Sequence, residues 1–568
     1  MTKLQFRVLY RQFLFRMVDL ELLSPQGDIH QLLGQFAATL MFISSVMGLG
    51  HLFFDGRRMT PAAVTAVLWG SEHSMIAATM LVVGLFAILS WDSTFLDRRD
   101  VLVLAPLPVR TRTLFLAKVA ASASAFGVTV AALNACTGIT LPWILAPRNF
   151  TVFDLLFSTA FYRPLIAYWI TMMSAGAFIF CSVMGVQGLA AQLLPRRRYL
   201  RLSSFLQMAA FCLFLSVYLL QPSLATPNVL SAAENQRLLA WLPSYWFLGL
   251  FEQLRGSVPV VLAPLARRAW AGLTIAVVCA VLTLLLSYFR TIRKIADEPD
   301  ILPGARRPLW TPRLGNSLEA AILRFSLRTL LRSRQHRVML AFYLGLGSAI
   351  VIAFMRTPLA HQQLLAAYAP WMFSSVVTMC VWVVGIRVVF AMPFALRANW
   401  IFRMTQIRGA PEYLAAIRRS LCALAVAPVW TAWAALFFSI WPWRPAASHL
   451  AVLGLCGLIL ALLCLRNFQK IPFTCSYLPG KSSFHMVFLA GLGLLNLLLK
   501  GIEIEWSAMG DPVRYVRMLL ILVAVLAVVW WRTLSVAKSS GGEMRFEEAP
   551  EAVIFSLDLR PDGSPPLN

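Results

Sequence analysis

The sequence predicts an all-α, polytopic membrane protein of about 12 transmembrane helices, and three observations lead to that fold class. The 568 residues are 59% hydrophobic and only 13% charged, with a mean hydropathy of +0.71. A soluble chain carries about 25% charged residues, so a surface this poor in charge needs lipid as its solvent. Apolar runs long enough to cross a bilayer recur along the chain, and basic residues cluster between them.

The distribution of charge separates two classes of basic protein. The formal net charge is +25, which is also typical of nucleic-acid-binding proteins. Those proteins concentrate positive charge on one folded face. Here the lysines and arginines fall in short clusters between apolar runs, which is typical of loops that face anionic lipid headgroups. We therefore expect the lipid bilayer, and no nucleic acid, among the partners.

The apolar runs divide into two groups of six around a basic stretch. The first half, residues 1–289, is predicted to span at Leu33–Phe54, Ser74–Trp91, Val119–Leu145, Leu165–Leu194, Ser204–Leu220 and Ala266–Phe289. Residues 290–337 form a basic cytoplasmic bridge, and residues 533–568 a flexible cytoplasmic tail. The second half, residues 338–532, is predicted to span at Val338–Met355, Trp371–Met392, Leu421–Ile440, Ala447–Leu465, Met486–Leu499 and Val513–Trp531. Met486–Leu499 is the shortest of these.

The basic residues also predict the orientation. With a cytoplasmic N-terminus, 36 of the 50 lysines and arginines fall in inner segments and 13 in outer segments. Because lysine and arginine hold short loops on the cytoplasmic side, both termini are predicted to be cytoplasmic. Before the first span, arginines and large apolar residues alternate at helical spacing between Leu4 and Met17. This pattern favours a helix in the membrane interface over a soluble cap.

Two predicted inner loops, about 300 residues apart, have a similar plan. Each follows the second span of its half, opens with charged residues, turns at a proline and returns to the membrane through basic residues. The two stretches show no strong residue identity, so the repeat is one of hydropathy. Charged and turn-forming residues in these loops are candidates for coupling to a cytoplasmic partner: Asp97, Arg98, Arg99, Asp100, Pro106, Pro108, Arg112, Asn399, Trp400 and Arg403. The alternatives are a solvated, self-paired loop and, for Trp400, an interface anchor.

Other features carry weaker signals. Arg387 lies inside a predicted span, where a charge is costly and often functional, although its long side chain can also reach the inner surface. Glu72 and His73 are expected to be boundary residues at the outer end of the second span. Gly480-Lys481-Ser482 lacks the first glycine of a phosphate-binding loop, since Cys475 stands in its place. We expect no disulfide, metal, cofactor or catalytic group in this chain.

The N-terminal helix, the six-span half, the inner loop Asp97–Lys118 and the outer stretch Trp241–Gly256 together resemble transmembrane subunits of bacterial type-2 ATP-binding-cassette (ABC) exporters. That family commonly has a stretch like LP-x-x-R-x-x-x-x-x-AK after its second span. Here the corresponding stretch reads Leu107, Pro108, Arg112 and Lys118, with Arg112 one position later than in that pattern. The second loop, Arg397–Arg403, is similar to the inner loop of large bacterial permeases of the same superfamily.

The resemblance implies a permease of the cytoplasmic (inner) membrane that docks ABC ATPase subunits and hydrolyses no ATP itself. The usual family subunit has six spans and dimerises, so two six-span halves imply a fused pseudo-dimer. The N-terminal helix would match the family's elbow helix, and Trp241–Leu254 its short helices between the fifth and sixth spans. Two alternatives remain open: an ion-gradient-driven secondary transporter, and a membrane enzyme or scaffold that transports nothing. The substrate does not follow from the sequence.

Overall fold

The computed structural model describes helices and the short turns between them. The described residues are 3–18, 29–52, 60–91, 110–145, 159–221, 230, 232–256, 262–297, 316–356, 363–392, 410–465, 472–473 and 484–539. No strand occurs among them. A segment that crosses a membrane has no water to bind its backbone groups. An α-helix suits this environment, because it satisfies its backbone hydrogen bonds within itself.

Ten of the described helices lie between residues 3 and 297, and the last of them enters the basic stretch. They are α1 (Lys3–Val18), α2 (Ile29–Leu52), α3 (Pro61–Leu89), α4 (Thr111–Leu133), α5 (Thr137–Leu145), α6 (Thr159–Leu193), α7 (Arg196–Leu220), α8 (Ala233–Trp241), α9 (Pro243–Arg255) and α10 (Ala263–Asp297). The predicted third span is broken into α4 and α5 by a turn at residues 134–136. The short α8 and α9 lie between the fifth and sixth predicted spans.

Eight further helices follow. They are α11 (Ser317–Arg332), α12 (Arg334–Arg356), α13 (Gln363–Ala391), α14 (Ala410–Leu421), α15 (Ala427–Ile440), α16 (Trp443–Cys464), α17 (Phe484–Met509) and α18 (Pro512–Ser539). One π-helical turn, Cys422–Val426, joins α14 to α15, so that the two form one continuous helical segment. The chain bends by 82° between residues 318–332 and 336–352.

All twelve predicted spans fall on helices, and the structure supports the membrane class. Within the described ranges, eight helices are long and apolar enough to cross a bilayer: Ala63–Leu89, Arg112–Leu133, Phe161–Leu193, Ala263–Leu286, Ala369–Ala391, Glu412–Ile440, Trp443–Cys464 and Pro512–Thr533. The bent pair α11–α12 makes nine if it counts as one span, and two shorter apolar helices cover Phe36–Gly48 and Phe205–Leu220. The chain therefore has the helices of a multi-pass membrane protein.

The helices form two compact units. The first comprises Met1–Leu309, Ala341–Thr378 and Leu478–Ile504. Its core is built mainly by α3, α6, α9 and α10, and large side chains such as Tyr168, Tyr245, Phe247 and Phe251 are fully buried there. The short α9 is thus part of the core of this unit.

The second unit comprises Trp310–Leu340, Met379–Tyr477 and Glu505–Asn568. Within it α11 packs against α14, and α16 packs against α15 and α18. None of the most apolar stretch of α18 is buried by protein, and Leu520 and Ile521 are more than half exposed. Apolar side chains exposed along a helix of this length are suited to contact with lipid.

Candidate functional site

Most of the predicted coupling residues lie outside the described part of the chain: Asp97, Arg98, Arg99, Asp100, Pro106, Pro108, Asn399, Trp400 and Arg403. Arg112 is described, and its side chain is exposed in the first turn of α4. The structure does describe the helices from which both loops leave and to which they return. These helix ends are the candidate site, because they are where a force on either loop would reach the helices.

In the first unit, α3 leads into the first loop and its end is held by buried polar side chains. The last carbonyls of a helix have no partner within the helix. Gln187 of α6 donates a hydrogen bond to the Trp91 carbonyl, and Gln207 of α7 donates to the Ile88 carbonyl at 2.7 Å. The Trp91 indole donates to the Ser203 hydroxyl at 3.0 Å. Two neighbouring helices therefore lock the point at which the loop begins.

Replacing Gln187 with leucine is expected to weaken this lock. The Trp91 carbonyl would lose its side-chain donor in a buried site, which costs about 1–3 kcal/mol of unfolding free energy. Thermal unfolding of the purified protein in detergent measures the loss. Gln12→Leu, at an exposed position of α1, is the matched control. Equal stability of the two variants would contradict the proposed role of Gln187.

The helix that follows the loop, α4, is held by the N-terminal helix. Phe13, Leu14 and Met17 of α1 are buried, and α1 packs along α4. The Lys118 ammonium lies 4.5 Å from the centre of the Phe13 ring, which is a cation–π contact. The Ser122 hydroxyl donates to the Met17 sulfur at 3.4 Å. The predicted N-terminal helix is thus confirmed as a helix, and one of its faces binds protein.

Lys118 belongs to the motif that carries the family resemblance, and its environment differs from the expected one. The sequence suggested a basic residue at the return of the loop to the membrane. In the structure the side chain is only 6% exposed and lies beneath α1. Residues Ala117 and Ala121, on the same helix, are fully buried, and side chains this small allow α4 to approach its neighbours closely. The alanine–lysine part of the motif therefore serves packing.

The second unit anchors the helix before its loop in a comparable way. Beyond the end of α13, the Met392 carbonyl accepts a hydrogen bond of 3.1 Å from Nε2 of His336. The Phe473 amide donates to the Phe390 carbonyl at 2.8 Å. Because His336 donates through Nε2, its Nδ1 is free to accept from the Ser333 hydroxyl, with which it is in contact. The start of the second loop is therefore also tied to other elements.

The helix after the second loop, α14, packs against the basic amphipathic helix α11. Glu319 of α11 forms an ion pair with Arg419 of α14. Ile322, Leu323 and Leu330 of α11 are buried, whereas the arginines of α11 at positions 324, 328 and 332 are exposed. In each unit, then, a basic helix packs on the helix that follows the predicted coupling loop.

Arg387 has a partner that the sequence did not suggest. Its Nε donates a hydrogen bond of 2.8 Å to the carbonyl of Cys464, the last residue of α16. The end of a helix carries unpaired carbonyls and a partial negative charge, and a guanidinium stabilises both. Arg387 therefore joins α13 to the end of α16 within the second unit.

Glu72 and His73, which we expected at a membrane boundary, are buried within the protein. Glu72 is 1% exposed and His73 is 6% exposed. Arg255 of α9 forms ion pairs with both Glu72 of α3 (3.4 Å) and Glu252 of α9 (3.1 Å). The sequence analysis could not pair Glu72 with Arg255, because the two residues are 183 positions apart and come together only when α9 packs on α3.

His73 belongs to a hydrogen-bonded chain beside this cluster. The Ser244 hydroxyl donates to Oε1 of Gln221 at 3.0 Å, so Nε2 of His73, also 3.0 Å away, donates to the Ser244 oxygen. The His73 ring stacks on Tyr245 with ring centres 3.9 Å apart. These contacts fix the orientation of the imidazole and bind α9 to α3.

A second buried ionisable pair lies in the second unit. Nδ1 of His449 is 2.7 Å from Oε1 of Glu505, and the two residues are 0% and 3% exposed. The Phe437 ring packs edge-on against the imidazole. The sequence analysis did not single out either residue. Nothing in the sequence connects His449 with Glu505, because the two residues lie on different helices and meet only in the folded structure.

The break between α4 and α5 is filled by neutral polar groups. The Tyr168 hydroxyl donates to Oδ1 of Asn134 at 2.7 Å, and Nδ2 of Asn134 donates to the Thr79 oxygen at 3.2 Å. The Ser44 oxygen accepts hydrogen bonds from the backbone amides of Cys136 and Thr137. Ser44 thus satisfies two backbone amides at the break, and Tyr168 and Thr79 satisfy the Asn134 side chain, as an apolar environment requires.

Neither a metal-binding cluster nor a similar known protein assigns a function to this chain. Within the described residues, no group of three or more histidine, cysteine, aspartate or glutamate side chains is arranged to hold a metal. The chain matches no family model, and neither a curated protein nor a solved structure is significantly similar to it.

Proposed function

We propose that the protein is the permease of an ABC exporter in the bacterial cytoplasmic membrane, with both termini cytoplasmic, and that it moves its substrate outward with energy from a separate ATPase subunit. The observation that carries this proposal is the anchoring of the helix ends at both predicted coupling loops. Buried side chains hold the end of α3 and the segment after α13. A loop attached to anchored helices passes a displacement to them, whereas a loop on frayed ends would absorb it.

The arrangement around the loops also supports a chain of twelve spans in two related halves. In each half a basic amphipathic helix, α1 or α11, precedes the first predicted span and packs on the helix after the loop, α4 or α14. The hydropathy repeat predicts the same correspondence. A chain built this way acts as a fused pseudo-dimer and needs no second permease copy, and each half would receive one ATPase.

The test is to replace residues 97–100 with alanine and to measure the ATPase activity of the co-purified partner. Stimulation by the permease is expected to fall about tenfold or more, since couplings between sites typically amount to 1–3 kcal/mol. Alanine at Arg57 and Arg58, in a predicted outer loop, is the matched control. Full stimulation with the 97–100 variant would contradict the role of that loop, and failure of any ATPase to co-purify would contradict the exporter proposal.

The buried ionisable groups favour one competing function, an ion-coupled secondary transporter. Such a protein needs a titratable residue away from bulk water, and His449–Glu505 and Glu72–Glu252–Arg255 provide two groups of this kind. Proteoliposomes without an ATPase distinguish the two functions. Uptake driven by a proton gradient alone would favour the secondary transporter, whereas transport that requires both ATP and the partner would favour the exporter.

A further inference from the structure

The contact between α3 and α9 contains more buried acid than its arginine can balance. Nη1 of Arg255 lies 3.1 Å from Oε1 of Glu252 and 3.4 Å from Oε1 of Glu72. The two carboxyl groups therefore share one nitrogen of a single guanidinium. Both glutamates are 1% exposed, so water can screen neither charge.

Glu72 has an oxygen atom with no protein donor. Its Oε2 is fully buried and accepts no hydrogen bond from any described residue. Because Oε1 of each glutamate lies within 3.4 Å of the same Arg255 nitrogen, the two carboxyl groups are near neighbours. A carboxylate buried without a donor costs several kcal/mol, and a second negative charge beside it adds to this cost. A single proton on the pair removes one of the two charges and gives one carboxyl group an O–H donor.

The other titratable or charged groups nearby are accounted for by their contacts. His73, the next residue of α3, donates to Ser244 and stacks on Tyr245. Arg163 of α6 donates from Nε to the Leu254 carbonyl at the end of α9, and its side chain is exposed. Within the described part of the chain, neither side chain forms a hydrogen bond or ion pair with the Glu72 carboxyl.

We propose that Glu72 and Glu252 together form a proton-binding site that holds one shared proton and ties α9 to α3. Both carboxyl groups flank the same Arg255 nitrogen, so one proton serves the pair and is not assigned to either residue alone. Loss of the proton would leave two carboxylates facing each other and would weaken the contact between the helices. The inference does not depend on the exporter proposal, since it rests only on the contacts of α3 with α9.

The site explains why α9 carries a buried glutamate at all. An apolar residue at position 252 would pack against α3 without any cost of burying charge. A shared proton makes the attachment of α9 conditional on protonation instead. In the predicted orientation, α8 and α9 lie at the outer face, so the proton would exchange with the outer medium.

Infrared difference spectroscopy of the full-length protein in lipid nanodiscs tests the proposal. The wild type is expected to show the C=O stretch of a protonated carboxyl group at neutral pH. Each single variant, Glu72→Gln or Glu252→Gln, should remove the band intensity of one protonated carboxyl group, because the remaining carboxylate then pairs with Arg255. The double variant should lose no more than either single variant. Glu503→Gln, at an exposed glutamate paired with Lys500, is the control and should leave the band unchanged.

Two further measurements keep the proposal open to refutation. Arg255→Gln should increase the band, because without the guanidinium both carboxyl groups are expected to keep a proton. If a glutamine variant fails to fold, wild-type protein labelled with carbon-13 at the glutamate carboxyl shows directly whether a protonated glutamate exists. The proposal is overturned by a wild type without protonated glutamate, by a band that Glu72→Gln leaves intact, or by a double variant that loses twice as much as each single one.

Discussion

Replacing Gly249 with alanine is expected to lower the free energy of unfolding by about 2 kcal/mol. Gly249 lies in α9 where that helix crosses the start of α10. A Cβ atom at this position would lie 2.7 Å from the Leu262 carbonyl oxygen and 2.9 Å from the Ala266 amide nitrogen. Both are backbone atoms, so no side-chain rotation can relieve the overlap and one helix must shift. Overpacking of this kind typically costs 1–3 kcal/mol, which exceeds the gain of about 1 kcal/mol that alanine brings to a helix.

The measurement is thermal unfolding in detergent. The control is the same substitution at a glycine where a Cβ atom has space. Gly127 lies within α4, and a Cβ atom there would meet nothing within 4 Å. Gly127→Ala is therefore expected to leave stability unchanged or to raise it slightly. If Gly249→Ala were as stable as Gly127→Ala, the close crossing of α9 and α10 would be wrong, and with it the position of Glu252 and Arg255 beside α3.

Replacing Asn134 with leucine is expected to be the more damaging of the two changes, at about 3 kcal/mol. Hydrogen bonds between helices of membrane proteins contribute only about 0.6 kcal/mol on average. The larger cost here comes from what remains, because the Tyr168 and Thr79 hydroxyls would lose their shared partner and keep only the Thr137 oxygen at 2.9 Å and the Met172 sulfur at 3.5 Å. Impaired hydrogen bonding of a buried polar group costs up to about 1–3 kcal/mol. The leucine must also fit a space shaped for an amide.

A tyrosine pair separates the hydrogen bonds from the change in volume. Tyr168→Phe removes only the hydroxyl that donates to Asn134 and should cost about 1 kcal/mol. Tyr162→Phe makes the same chemical change at an exposed tyrosine of the same helix, α6, and should be neutral. We expect thermal unfolding to show the lowest stability for Asn134→Leu, an intermediate stability for Tyr168→Phe and the highest for Tyr162→Phe. Similar stabilities for the three variants would show that the polar cluster does not support the helix break.

Helix positions were the most predictable part of the structure. A segment that crosses a bilayer must be apolar over about 20 residues, so composition alone locates it. The breaks and bends were not predicted. The turn at residues 134–136 lies inside the predicted span Val119–Leu145, because the single asparagine in Asn134-Ala135-Cys136 does not interrupt the hydropathy. What permits the break is the contact with Ser44 and Tyr168, which belong to other helices.

The candidate site was predictable only in outline. The sequence located the two loops by their charges and prolines, and it predicted a helix before the first span. It could not show that Gln187 and His336 bind the helix ends beside those loops, since glutamine and histidine in apolar runs have no pattern of their own. Glu72 and Glu252 were missed for the same reason. Each is an isolated acid in the sequence, and only packing brings the two together.

Composition and charge order by themselves determined an all-helical chain of lipid-soluble segments, because the bilayer acts on each segment separately. Tertiary structure alone decided which polar groups meet, because a buried carboxyl, amide or imidazole is stable only beside a partner from another helix. The attachment of α9 to α3, the filling of the break after α4 and the anchoring of both loop-bearing helices all depend on such partners.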